Sequence, residues 1–348
     1  MPEIRTHADV KAAAKDWRAF SSDLQGDPDV RDYRQLPLEA DPPAHRAYRD
    51  LLEPYFGRVE VARMEPAFRA IAEELVEAFA AAGGGDAVHA LAFPMVLRGL
   101  AVAFDRPDDI PEWASWGLET WVTRPDGTRS GDALHAYLDR VLAEAATRPD
   151  AAGDIWQRIA AARLGDRALT AVEQRGLAGL VLAGGRDTVI KLISGACWHL
   201  ASAPEAYAAL RADASRIPAA IEEYLRFLSP LPRMEREARA GATVDGAPVA
   251  PGTRVHLSFL AANHDPARFD APGTVQLDRS PNHHVAFGNG PHTCVGAHLA
   301  RVETRCLLEA LVARVLLLAP AGEPAVAWTD VGGARVPGAF THLPLRAG

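Results

Sequence analysis

Apolar residues recur three and four positions apart over most of the chain, and the stretches that carry this spacing are rich in Ala, Leu, Glu and Arg. The spacing predicts helices over Val59–Ala82, Val88–Phe104, Gly131–Thr147, Leu169–Ala201, Pro218–Leu228 and Ala297–Leu318. A further helix is expected where Pro42-Pro43 opens LPLEADPPAHRAYRDLLEPYF. Strand character gathers in TVDGAPVAPGTRVHLSF, Thr243 to Phe259, where Asp245-Gly246 and Pro251-Gly252 mark turns between short β-prone runs. Breakers at Gly83–Gly85, at RPDD (106–109) and at RPDG (124–127) punctuate the helices without any linker or repeat. The expectation is one domain over residues 1–348, mainly α with a small β region.

Composition narrows the picture. The 348 residues are 48% hydrophobic, enough for a large core, and the net charge of -8 argues against nucleic acid. The three cysteines, 197, 294 and 306, form no CxxC pair, which leaves no disulfide or cysteine-rich metal framework and fits a reducing cytoplasm. No signal peptide is read at the charged N-terminus. The most apolar segment, Gly176 to Leu200, contains Arg186, Asp187 and Lys191 at its middle, so it reads as a buried helix and not a membrane span.

One stretch breaks the helical pattern with chemistry. FGNGPHTCVGAHLAR, Phe287 to Arg301, places Cys294 among glycines 288, 290 and 296, just ahead of a helix. Glycines there let backbone turn sharply or approach something closely. A helix start favours a thiolate through its free N–H groups and dipole. A single cysteine is more often a core thiol, the reading kept for Cys197 and Cys306. Here, however, Phe287, Gly290, His292, Cys294 and Gly296 fit Phe-x-x-Gly-x-His-x-Cys-x-Gly, which resembles the haem-binding signature of the cytochrome P450 family. The resemblance implies the family's fold, a large helical body around haem with a minor β-sheet lobe, and haem b (iron protoporphyrin IX) as cofactor. It also implies Cys294 as the iron ligand, Phe287 near its sulfur and His292 on a haem propionate.

Other stretches agree in order. Gly184-Gly185 interrupts an apolar helix, where each glycine costs about 1 kcal/mol, and Thr188 stands where it can bond the carbonyl of Gly184 and bend the helix. This resembles the family's Gly-Gly-x-Asp-Thr motif, which implies that Asp187 and Thr188 supply protons during oxygen activation. Glu223 and Arg226, three apart in IEEYLRF, read first as an ordinary ion pair. They resemble the family's buried Glu-x-x-Arg, whose third partner is left open between Arg268 and Arg279 because Thr274 stands at the aligned position. Arg236, and His45 with Arg49 on one helical face, are the basic groups the resemblance assigns to haem propionates. The likeness is greatest to the family's bacterial camphor-hydroxylating members. It implies Tyr33, Leu180, Ala183 and Met234 as substrate contacts, with Tyr33 orienting a polar group, although Arg34, Gln35 and Leu38 depart from that pattern. Against the family the chain lacks the usual first helix and strand.

The expected function is a haem-thiolate monooxygenase that inserts one oxygen atom from O2 into a small, largely apolar molecule. No flavin or iron–sulfur segment is read, so electrons are expected from a separate donor, a [2Fe-2S] ferredoxin with its reductase. A cluster of Arg46, Arg49, His298, Arg301 and Arg305 would steer it, or is simply a solvated basic face. The alternatives are a peroxide-using haem enzyme and a non-catalytic haem-binding protein; the Asp187-Thr188 pair argues against both.

Overall fold

The computed structural model describes residues 1–26, 30–123 and 128–348, so the RPDG turn at 124–127 lies outside the described residues. The helices are α1 (His7–Lys15), α2 (Ala44–Phe56), α3 (Arg58–Ala81), α4 (Phe93–Phe104), α5 (Ile110–Ser115), α6 (Asp132–Thr147) and α7 (Ile155–Ala161), then α8 (Ala171–Gly184), α9 (Asp187–Ser202), α10 (Pro204–Ala212), α11 (Ile217–Leu228), α12 (Phe259–Asn263) and α13 (Ala297–Arg314). α13 lies along α3, α3 along α4, and α9 packs against α11 and α13, so one apolar core runs through the helical body. Phe68, Val76, Leu97, Ile193 and Leu307 are among its buried residues, each on the inward stripe of its helix.

Several bounds differ from the hydrophobic pattern for local reasons. The apolar run at Leu169–Ala201 is two helices. Thr170 starts the first with a reciprocal capping box to Glu173, and the run breaks at Gly185 and Arg186. Ahead of α4, residues Val88–Ala92 form a wide π turn; Pro94, in the first turn of α4, has no N–H to give the usual ladder. The last helix stops at Arg314 instead of Leu318, because Val315 turns extended and Leu318–Pro320 pairs with Pro344–Ala347. At the N-terminus only Glu3–Ile4 is strand, and Thr6 then caps α1 by accepting the Asp9 N–H.

The minor lobe is a four-stranded sheet ordered Glu3–Ile4, Arg254–Ser258, Arg233–Ala238, Phe20–Ser21, with only the first pair parallel. Asp245 and Gly246 take the left-handed conformation that their hairpin requires, and Gly252 does so at the next turn. A second hairpin, Ala325–Val331 with Ala334–His342, turns on left-handed Gly332 and Gly333 and packs on α9. The first sheet matters for function, since Met234 and Arg236, two apart on one of its central strands, share a face.

Candidate active site

The cysteine loop is held at both ends. Val285 N donates to Asn263 Oδ1 (2.8 Å) and Cys294 N donates to the Phe287 carbonyl (2.8 Å), closing the loop on itself. Gly288 and Gly290 take left-handed φ of 72° and 77°, and a side chain at Gly290 would press into the α1 carbonyl of Ala14. Arg49 Nη1 donates to the carbonyls of Pro291 (3.2 Å) and Thr293 (2.6 Å). So held, Cys294 opens onto a cavity while protein encloses it elsewhere. Burial pushes its thiol pKa up; the Gly296 N–H and the cations of Arg49 and Arg301 pull the other way. Arg301 lies over the Phe287 ring at 4.5 Å and is gripped by Glu222 (2.6 and 2.7 Å), which also meets His284 (3.1 Å).

Opposite Cys294 stands the broken helix. Thr188 Oγ1 donates to the Gly184 carbonyl at 3.4 Å across the break, and Gly184, Gly185 and Thr188 all line the cavity. Burial pushes the Asp187 carboxyl up, against Arg186 and Lys191; Glu119 adds to the rise and a bond from the Thr120 backbone opposes it. Leu38, Leu180, Val181, Leu231 and Met234 give the cavity an apolar wall.

At the rim, basic groups converge without an acid. His45 and His292 meet edge to face, ring centroids 4.3 Å apart, and each Nε2 is buried without a partner. Arg236 is 5% exposed, and its Nη1 donates to the Glu235 carbonyl. Burial, with Arg236, His45 and Arg49 adding to it, lowers His292 to about 2; burial, with Arg49 and Arg46, lowers His45 to about 4. Burial also lowers Arg236 to about 10, against Asp41. Asp41 itself is taken by Ser21 and by the Ser22 N–H (2.8 Å). Unpaired buried donors beside a thiol suit a ligand carrying carboxylates and a thiolate-seeking metal, the donor set that haem and its two propionates require.

Behind the cysteine loop, Glu223 and Arg226 are both 0% exposed and joined through two bonds of 2.7 and 2.8 Å. Arg226 further reaches the carbonyls of Asn263, Pro272 and Thr274 (2.8, 2.8 and 3.0 Å). The third partner is Arg279, whose Nε donates to Glu223 (3.0 and 3.1 Å), joined by Gln276 N and Asn282 Nδ2. Arg268 makes no bond to Glu223 among the described residues, and position 274 contributes its backbone oxygen instead of a side chain.

Three expectations need correction. Tyr33 does not line the cavity: its ring packs on His135 and its hydroxyl lies where a side chain at Gly179 would be, so the absent Cβ draws it against α8 and away from the opening. Ala183 packs on the core beside the lining instead of in it, whereas Leu180 and Met234 do line it. The arginine cluster is not a free basic patch. Arg46 pairs with Asp50 and Glu53 (3.1 Å), Arg49 with Glu53 (2.7 Å), Arg301 with Glu222, and Arg305 with Glu65 (2.6 Å). Acids from α2, α3 and α11 neutralise it. The residues that sequence reasoning missed here, Glu222 and Leu38 among them, carry no local pattern that marks them.

The comparisons with known proteins agree with this geometry. A sequence model of the family described as Cytochrome P450 matches residues 125–325. A probable cytochrome P450 127A1 of Sinorhizobium fredii is 34% identical over 80% of this chain and 68% of that protein. The erythromycin C-12 hydroxylase of Saccharopolyspora erythraea is 32% identical over 88% of this chain and 80% of that protein. A solved structure described as a carbohydrate active P450 superposes with a TM-score of 0.91 at 29% identity, covering 99% of this chain and 92% of that one.

Proposed function

The chain belongs to the cytochrome P450 family, a family of haem b monooxygenases supplied with electrons by a redox partner, and from that premise we propose that Cys294 would hold the haem iron and that the cavity beyond it takes a small, largely apolar substrate. The observation that carries this reading is that Cys294 and the Gly184–Thr188 break face one cavity, with two buried, unpaired imidazole nitrogens and the Arg236 guanidinium at its rim. Haem bound there supplies the activation of O2 and the transfer of one oxygen atom, and a thiolate ligand favours O–O cleavage.

The protein's own residues do the rest. His45, His292 and Arg236 would hold the two propionates, while Arg49 fixes the carbonyls of the loop that presents the sulfur. Phe287 packs beside that loop and Arg301 covers it. Asp187 passes a proton to the Thr188 hydroxyl, which Gly184 orients toward the cavity. Leu180, Val181, Leu231 and Met234 exclude water and orient an apolar molecule by contact. The donor we infer is a [2Fe-2S] ferredoxin meeting the face of α2 and α13. Its approach depends on Arg46 and Arg58 at the edge of a largely neutralised surface. All three cysteines are free, which fits a reducing cytoplasm, and no helix among the described residues is long and apolar enough to cross a membrane.

The test is the spectrum of the reduced protein with carbon monoxide. The parent gives a red-shifted Soret band, and Cys294→Ser loses it while retaining helical content. A Cys294→Ser protein with the parent's band overturns the assignment.

A further inference from the structure

The break between α8 and α9 buries a guanidinium that the reading above does not use. Arg186 is 1% exposed, a rare place for arginine. Its Nη2 donates to the Gly117 carbonyl, and its plane stands over Phe93 (5.5 Å) and Trp116 (5.6 Å), while Nε and Nη1 have no partner. The next residue, Asp187, keeps an enclosed, unpaired Oδ1, and the Thr120 backbone N–H acts on its carboxyl to favour the charged form. The segment from Trp116 to Thr120, which follows α5, therefore meets the break at two points one residue apart. One is a cation bonded to a carbonyl and stacked on two ring faces, the other an N–H facing a carboxyl.

We propose that Arg186 is a positioning residue for Asp187: together with the segment Trp116–Thr120 it clasps the carboxyl in place and, as the nearest cation, sets how readily that carboxyl gives up its proton. The idea rests on the reading of Asp187 as the proton-passing group. The groups facing Asp187 are Arg186 and Lys191 from its own helix, with Glu119 and the Thr120 N–H from the segment; Phe93 of α4 covers Arg186 and brings no charge. A cation so placed favours the carboxylate. With Arg186 gone, Lys191 and the Thr120 N–H are left to oppose burial and the repulsion of Glu119. The clasp loses its ring stack and its bond to Gly117 in the same stroke. Each proton that Asp187 passes to Thr188 is regained from water, so the carboxyl returns to its starting state.

Arg186→Met and Arg186→Lys in the haem-loaded protein separate charge from contact. Hydrogen exchange of the resting protein reads the clasp: Arg186→Met speeds the amides of Gly117 to Thr120 about tenfold, the factor that about 1.4 kcal/mol corresponds to, while α3 and α13 stay as they are. An infrared titration of the Asp187 carboxyl, assigned by its loss in Asp187→Asn, reads the charge. Its protonated band persists about one pH unit higher in Arg186→Met and stays put in Arg186→Lys. Unchanged exchange at 117–120 overturns the clasp, and an unchanged titration in Arg186→Met overturns the electrostatic half. Should Arg186→Met fail to fold, exchange at the Thr120 amide in Asp187→Ala decides, since the clasp requires it to rise. A parent without the carbon monoxide band signals failure of the haem reading instead.

Discussion

Replacing Glu223 by Gln exchanges one oxygen for an NH2 group and removes the anion on which Arg226 and Arg279 both close. The carboxylate accepts Arg226 Nε and Nη2, Arg279 Nε, the Gln276 N–H and the Asn282 amide. Every neighbour is a donor, so the new NH2 group faces donors, and two cations lose their counter-ion where Glu223 and Arg226 are 0% exposed. Breaking a buried pair this way costs about 3–5 kcal/mol. Against a total stability of about 5–15 kcal/mol, the variant sits near its folding threshold. Urea unfolding of the haem-loaded protein, followed by circular dichroism and by the Soret band together, gives the number. Arg279→Met provides the internal control: it leaves the two-bond Glu223–Arg226 contact intact and loses less. A drop below about 1 kcal/mol for Glu223→Gln, the range of an exposed pair, would refute the claim that this network fastens the loop behind Cys294.

Two further outcomes are expected. In the haem-depleted chain, His45 and His292 stay neutral down to about 4 and about 2, while the unfolded chain protonates each at 6.5. The unfolded state then binds more protons, so stability falls as pH drops below 6.5, by about 2 kcal/mol per ring at pH 5; the urea midpoint should fall accordingly, less so with haem bound, and an equal fall in the His45→Phe, His292→Phe double variant would remove these rings as the cause. Charge reversal at exposed Arg46, which unlike Arg49 holds no part of the cysteine loop, should raise the KM for a surrogate ferredoxin at low salt and leave the carbon monoxide spectrum alone; a KM unmoved at low salt counts against docking on that face.

How much was legible follows the distance over which the chemistry is written. The cysteine loop and the Gly-Gly break were readable because their determinants lie within about ten residues: left-handed glycines, a helix start, and a hydroxyl four residues after a carbonyl. Arg279 could be named only as one of two candidates, because 56 residues separate it from Glu223 and nothing local distinguishes it from Arg268. The arginine cluster misled for the same reason. Its arginines come from α2 and α13, but two of their acids, Glu65 and Glu222, come from α3 and α11. Tyr33 failed because the deciding residue is Gly179, whose missing side chain makes room for the ring. The C-terminal hairpin that turns on Gly332-Gly333 and the helix α1 capped by Thr6 were not read from the sequence, because each is a short element whose signal is only a residue or two long.

The site also shows itself by how unevenly the fold satisfies its buried polar groups. Around Glu223 each oxygen accepts several donors, and such a site is complete as it stands. Around His292 the opposite holds: two unpaired ring nitrogens and a guanidinium lie together with no acid bonded to them, each shifted toward its neutral form by burial, and His292 further by Arg236 and His45. A chain that folded for its own stability would exchange such groups for apolar ones or supply a carboxylate, since an unpaired buried donor costs about 1–3 kcal/mol. Here the nearest one, Asp41, is bound to Ser21 and Ser22 instead. Groups left unpaired in concert, on one wall of one cavity that also exposes a thiol, are therefore complementary to something carrying anions. By the same logic Arg186, whose Nη2 is bonded to the Gly117 carbonyl and whose plane faces aromatic rings and not the cavity, belongs to a different task from the rim, that of fastening the segment after α5 to the break.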